Sequence, residues 1–228
     1  MMKPFAVRTI SGAVFVAIMF TGLLVNARLF GILTTMMAFG MLYEYSTLPR
    51  KTGKKVSGWN AVAYHSCGIV YILSAMGLLC FLGFIKGSFS GILPLCFFLL
   101  IWSSDVGAYC VGSTLGKRFC SRKMAPTISP NKTWTGFWGG LAFCIAASAI
   151  MKACGLLEFP LFHCLAFAVT VNCFGVLGDL LESAWKRFFG VKDSGNLIPG
   201  HGGMLDRFDS SLAAIPAGTL YLLAFNLI

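Results

Sequence analysis

The feature that most limits this chain is a succession of seven apolar stretches, each about as long as a bilayer is thick. They lie near 10–27, 29–48, 61–85, 89–111, 137–154, 161–181 and 210–228. A helix needs roughly 20 apolar residues to cross the hydrocarbon core. In lipid every backbone N–H and C=O must be satisfied within its own segment, so stretches of this kind fold as helices. Composition agrees: 57% of the residues are hydrophobic and 11% are charged, against about 25% charged in a soluble domain. The expected fold is all-α, a polytopic integral membrane protein with about seven transmembrane helices. Only Arg28 stands between the first two stretches, so their turn is tight. Pro94 and Pro216 fall inside spans, where a kink is tolerated.

Orientation follows from Lys and Arg, which stay cytoplasmic when loops are short. With the N-terminus inside, one side of the membrane holds only Arg28, Lys86 and Lys152, and the other side holds all the remaining Lys and Arg. The expectation is therefore a cytoplasmic N-terminus and an outward C-terminus. The opening MMKPFAVRT and the apolar run behind it read as an uncleaved first helix rather than a signal peptide. The net charge of +10 is assigned to cytoplasmic loops and anionic headgroups rather than to nucleic acid. The nine cysteines are scattered singly, without a C-x-x-C pair. They indicate neither a zinc site nor a disulfide framework.

This topology sorts the acids. Glu44, Asp105 and Asp179 each end a helix that runs inward, and Asp206 and Asp209 open the last helix from the same face. Five of the eight acidic residues thus share one membrane depth. Ionisable groups in spans are costly and mark functional sites.

The densest chemistry lies in 183–209, SAWKRFFGVKDSGNLIPGHGGMLDRFD. Asp193, Asp206 and Asp209 are interleaved there with Lys186, Arg187, Lys192 and Arg207, around Gly202-Gly203 and His201. Such a pattern suits a metal and a polyphosphate. Mg²⁺ takes one or two carboxylates plus substrate phosphates, cations balance the remaining phosphate charge, and glycine lets the backbone approach an anion. The sixth helix is expected to run past Asp179 as an amphipathic extension. Asp179, Ser183, Lys186 and Arg187 share one face of it, while Leu181, Ala184, Trp185 and Phe188 lie at the membrane interface. A solvated interfacial helix is the plainer alternative. Asp206 and Asp209 at i and i+3 would also complement a helix dipole, and His201 is open between base, phosphate donor and structural hydrogen-bonder.

A second constellation, 104–136, is a Gly-punctuated basic loop between the fourth and fifth helices. It carries Asp105, Gly107, Tyr109, Gly112 and the run Ile128-Ser129-Pro130-Asn131-Lys132-Thr133. No Walker A spacing is present, so a P-loop NTPase is not supported. Gly112 and Gly116 could instead serve helix packing.

The spacing of Ser183, Lys186-Arg187, Lys192-Asp193, Gly195, Pro199, His201-Gly202-Gly203, Asp206-Arg207 and Asp209 resembles the signature of the phosphatidate cytidylyltransferase (CDP-diacylglycerol synthase) family. The Asp-x-Gly-Ala-Tyr segment at Asp105 and the Ser-Pro-x-Lys-Thr segment at Ser129 are similar to that family's other recurrent block. Trp185 stands where the family usually has an aliphatic residue or Phe, and Thr135 stands where it usually has Glu, so no acidic role is carried over there. The resemblance is specific over 104–209 and only compositional elsewhere, and the chain looks short for the family.

The resemblance implies a nucleotidyltransferase that takes CTP and phosphatidate to CDP-diacylglycerol and pyrophosphate. It implies Mg²⁺, with room for a second cation, at Asp179, Asp206 and Asp209. The catalytic set is then Asp206, Asp209 and Lys186. Substrate contacts fall to Ser129, Lys132, Ser183, Arg187, Lys192, His201 and Arg207. Residues 1–100 are read as scaffold helices, quiet apart from Glu44, and 101–228 as the catalytic region with two cytoplasmic motif loops. The expected location is a bacterial-type plasma membrane with the site facing the cytoplasm. CTP and membrane lipid are the expected partners, nucleic acid is not, and room is left for a homodimer. A CTP-dependent polyprenol or phytol kinase is the alternative, and it would need a base to deprotonate a lipid hydroxyl. A CDP-alcohol phosphotransferase lacks its Asp-Gly-x-x-Ala-Arg motif here. A transporter would more often show repeats with broken helices near the midplane.

Overall fold

The computed structural model describes residues 4–53, 56–114, 122–198 and 202–228, and side chains from residue 9 onward within them. Seven helices follow in order: α1 (Pro4–Leu24), α2 (Ala27–Lys51), α3 (Trp59–Gly83), α4 (Ile92–Thr114), α5 (Trp134–Ala153), α6 (Leu161–Phe188) and α7 (Leu205–Ala224). Each apolar stretch forms a helix, as the hydropathy pattern requires. Two short strands, β1 (Lys123–Ala125) and β2 (Ser129–Thr133), pair antiparallel between α4 and α5, a hairpin that the helical reading did not anticipate.

Four helices, α3 to α6, are long and apolar enough to cross a membrane, and residues 9–24 of α1 form a shorter apolar helix. The chain is an integral membrane protein. Neither α2 nor α7 reaches the same apolar character among the described residues. Glu44, Arg50 and Lys51 interrupt α2, and Asp206, Arg207 and Asp209 open α7.

The sequence punctuates these helices locally. Asn26 caps α2, its Oδ1 accepting from the Leu29 N–H at 2.9 Å, and Thr133 caps α5, its Oγ1 accepting from the Gly136 N–H at 3.1 Å. Such caps satisfy amides that have no partner inside the helix. Pro94 lies in the first turn of α4, where an N–H would have no helical partner. Pro49 and Pro216 fall farther inside their helices.

The chain forms two compact units. The first comprises residues 1–91 and 185–209, and the second comprises residues 92–184 and 210–228. In the first unit Phe30 packs against Phe84 and Phe89, and Met37, Met41, Ile72 and Leu79 are also buried. In the second unit α4 and α5 meet at glycine. A Cβ on Gly107 would lie 2.6 Å from the Cβ of Phe143, and one on Gly112 would lie 3.3 Å from the Cα of Gly136. Gly112 therefore serves helix packing, while Gly116 lies outside the described residues. Polar pairs cross this interior: Ser104 Oγ donates to Asn172 Oδ1 at 2.6 Å, and Ser148 Oγ to the Cys164 carbonyl at 2.6 Å. The described cysteines are all free.

Candidate active site

In the first unit, 185–209 forms the last turn of α6, a loop, and the first turn of α7. The helix ends at Phe188, and Gly190 just beyond it has a φ of 75° that suits glycine. Lys186 projects from that last turn and its Nζ lies 2.7 Å from Asp206 Oδ1. The Ser194 N–H reaches both oxygens of the same carboxylate, at 3.2 Å and 3.0 Å, and the Gly203 N–H reaches Oδ2 at 2.8 Å. The pair is largely shielded, with side-chain exposures of 11% and 7%. Burial pushes the Asp206 pKa up, but the Lys186 hydrogen bond, the Gly203 and Ser194 amides and the Lys186 charge outweigh it. The carboxyl ends below its ordinary value.

A second carboxylate holds the same loop. Glu44 of α2 is 1% exposed. Its Oε2 accepts from Ser194 Oγ and from the Leu205 N–H, both at 2.9 Å, and its Oε1 accepts from the Met204 N–H at 3.0 Å. Two glycines make room. A Cβ on Gly195 would fall 2.5 Å from Glu44 Oε1, and one on Gly203 would collide with Glu44 and Ser194 Oγ. Gly202 has a φ of 82°, and Ile198 bridges back to it by a 2.9 Å backbone bond. The glycine-rich signature thus wraps its own acids.

The remaining predicted residues of this unit are distributed unevenly. Arg187, Lys192 and Arg207 are exposed, and Arg187 Nη1 donates to the Val191 carbonyl at 2.8 Å. Asp209 is half-buried on the first turns of α7. His201 and Pro199 lie outside the described residues. Trp185 is not simply interfacial: its ring stacks on Tyr45 with centroids 5.0 Å apart, and its Nε1 donates to Tyr64 Oη at 3.0 Å.

The second unit contains a cavity of about 550 Å³. Its apolar wall includes Ile101, Phe137, Val171 and Val176, and its polar groups include Asp105, Asp179, Lys123, Asn131, Lys132 and Thr133. The β1–β2 hairpin brings Lys132 to Asp179 of α6, at 2.5 Å. The Lys132 Nζ also lies 3.5 Å from the Val176 carbonyl, and Ser183 Oγ donates to Asp179 Oδ1 at 3.2 Å. That i, i+4 bond confirms the shared face expected of Asp179 and Ser183. The side-chain exposures of Lys132 and Asp179, 22% and 30%, leave both open to a ligand. Ser129 opens β2 opposite Ala125 and does not line the cavity.

The oxygen donors here suit a hard cation. Asp105 and Asp179 both line the cavity beside the hydroxyl of Thr133 and the amide of Asn131. Two carboxylates lining one cavity match what Mg²⁺ takes from a protein when phosphates supply the rest. No cluster of three or more His, Cys, Asp or Glu suited to a metal occurs among the described residues. Asp206 stands differently, because Lys186 and two backbone amides already occupy its oxygens.

Sequence reasoning assigned no site role to Glu44, Asp105 or Ser194. The acids had a signal, their expected position at one membrane depth. Ser194 had none beyond its place beside Asp193.

A model of the cytidylyltransferase family matches residues 55–225. The phosphatidate cytidylyltransferase of Bacillus subtilis strain 168 is 50% identical over 118 residues, covering 52% of this chain and 42% of that protein. The enzyme of the same name from Staphylococcus epidermidis is 44% identical over 126 residues, 55% of this chain and 47% of its own length. That of Staphylococcus aureus strain COL is 45% identical over 131 residues, with the same coverage of 55% and 47%. The chain therefore spans about half the length of the relatives it matches.

Proposed function

We propose that this chain, which belongs to the cytidylyltransferase family, transfers the cytidylyl group of CTP to phosphatidate. The products are CDP-diacylglycerol and pyrophosphate. The observation that carries the reading is the cavity of the second unit, where Lys132 and two carboxylates share one space with an apolar wall. An anionic headgroup joined to acyl chains needs both surfaces at once.

A phosphate oxygen of phosphatidate attacks the α-phosphorus of CTP. A new P–O bond forms, the bond between the α-phosphorus and the bridging oxygen breaks, and pyrophosphate leaves with that electron pair. The nucleophile is already anionic near neutral pH, so the protein's task is positioning and charge neutralisation. Lys132 exchanges its ion pair with Asp179 for a substrate phosphate. In the first unit Lys186, fixed by Asp206, and the exposed Arg187, Lys192 and Arg207 form a set of positive charges suited to phosphates. Asp179 and Asp105 would hold Mg²⁺, which would neutralise the α-phosphate and the departing pyrophosphate. In the first unit Asp206 orders the loop and Lys186, and Asp209 would offer a carboxylate to a cation.

The proposed setting is a bacterial-type inner membrane with the signature loop facing the cytoplasm, where soluble CTP meets the leaflet surface. A cysteine at the exposed Asn196, in a cysteine-depleted background, should label only from the cytoplasmic side. Labelling from outside would reverse the orientation.

The deciding experiment uses purified protein in detergent–lipid micelles with phosphatidate, Mg²⁺ and CTP labelled at the α-phosphorus. Label should enter the lipid phase as pyrophosphate is released. Label retained in CDP, with a lipid alcohol phosphorylated instead, would make the protein a kinase. No turnover with any lipid acceptor would reopen transport.

A further inference from the structure

We infer that Glu44, on α2, is a positioning residue for the transfer reaction, holding the signature loop and through it the Lys186–Asp206 pair. The inference rests on the functional reading above and assigns it a residue outside the signature. A buried carboxylate persists only where donors replace its water, and Glu44, 1% exposed, has three of them. They come from both ends of the loop: the Ser194 hydroxyl at its start, and the Met204 and Leu205 amides where α7 begins. A cap for α7 would need only the amides. The Ser194 hydroxyl belongs to no helix, and its bond closes the loop rather than the helix end.

Ser194 is shared. It gives its hydroxyl to Glu44 and its N–H to Asp206, so the two carboxylates fix one residue from different atoms. Gly195 and Gly203 leave the space that Glu44 fills. Glu44 thereby holds the backbone groups that orient Asp206, and Asp206 in turn orients Lys186. The next residue on α2 works on the other flank. Tyr45 stacks on Trp185, the neighbour of Lys186, at 5.0 Å and an interplanar angle of 9°. α2 therefore grips both chain segments that carry the Lys186–Asp206 pair.

The test compares wild type with Glu44→Gln in the cytidylyl-transfer assay and by amide hydrogen exchange. Glutamine preserves size, but its NH₂ group must face either the Leu205 N–H and the Ser194 hydroxyl or the Met204 N–H. The expected result is a kcat lower by roughly ten- to a hundredfold, with KM for CTP and phosphatidate within about threefold of wild type. Exchange at Ser194, Met204 and Leu205 should accelerate while α4 and α5 stay protected. Ser194→Ala should show a smaller loss, and the double variant should be no slower than Glu44→Gln alone, since one contact is removed twice. Ser194→Ala also carries the test if Glu44→Gln does not accumulate in membranes. Ser46→Ala, at an exposed position on the same helix, should behave as wild type. A normal kcat with only a lowered melting temperature would make Glu44 merely structural and overturn the inference. Unchanged exchange at 204–205 would also overturn it. A wild-type chain that never labels lipid would overturn the functional reading, and the exchange comparison would still decide whether Glu44 fixes the loop.

Discussion

The molecule uses one chemical pair, a lysine on an aspartate, in two ways. Lys186 and Asp206 are 11% and 7% exposed, and two backbone amides complete the carboxylate. Lys132 and Asp179 are 22% and 30% exposed and line a cavity. A shielded, fully satisfied pair cannot exchange partners cheaply, because breaking it strands a desolvated charge. A half-exposed pair contributes little to stability and can open to an incoming phosphate. The first arrangement sets geometry and the second receives a ligand.

The sharpest attempt to break that distinction is Asp206→Asn. It removes the carboxylate charge 2.7 Å from the shielded Lys186 ammonium, so a stability loss of about 3–5 kcal/mol is expected, together with loss of transfer. Adding Lys186→Met should recover part of the stability and none of the activity, as read by thermal denaturation in detergent and by lipid labelling. A stable, active Asp206→Asn protein at saturating Mg²⁺ would erase the difference between the two pairs.

Lys132→Ala should do the opposite. Its effect belongs in substrate affinity, a rise in KM of roughly tenfold or more, while stability changes by about 1 kcal/mol or less. A large fall in melting temperature with unchanged KM would turn the cavity pair into a second structural clamp.

Acid separates the pairs further. The folded Asp206 pKa lies below its ordinary 3.8, so its contribution is fully present above that value. It is lost as pH falls through the lower folded value. Wild type should therefore keep this increment from neutral pH down to the ordinary carboxylate range and lose it below, as melting temperature against pH would record. Asp206→Asn should lack that part of the acid limb. An identical acid limb in the variant would remove Asp206 as its source.

The smallest expected effect is at Trp185. Trp185→Phe keeps a ring against Tyr45 but loses the bond to Tyr64 Oη, worth about 1 kcal/mol. No measurable change would mean that stacking alone holds this corner.

The helices were legible because hydropathy at this length leaves the backbone few options. Even the extension of α6 to Phe188 and the start of α7 just before Asp206 followed from local pattern. The hairpin at 123–133 did not, because Ser-Pro-Asn-Lys-Thr has no alternating apolar face. Glu44 shows a different limit. Its place on the second helix was readable, but its partners lie 150 to 161 residues away, and no local periodicity encodes so distant a contact. Trp185 looked like an interfacial ring by helical spacing, whereas its partners come from α2 and α3.

That separation also orders biosynthesis. The ribosome releases Glu44 some 150 residues before Ser194, so α2 is made with a carboxylate whose donors do not yet exist. Until 194–205 arrives, water must stand in for those donors. A nascent chain stopped short of Leu205 leaves Glu44 without the donors it has in the fold and exposes an unfinished core to quality control.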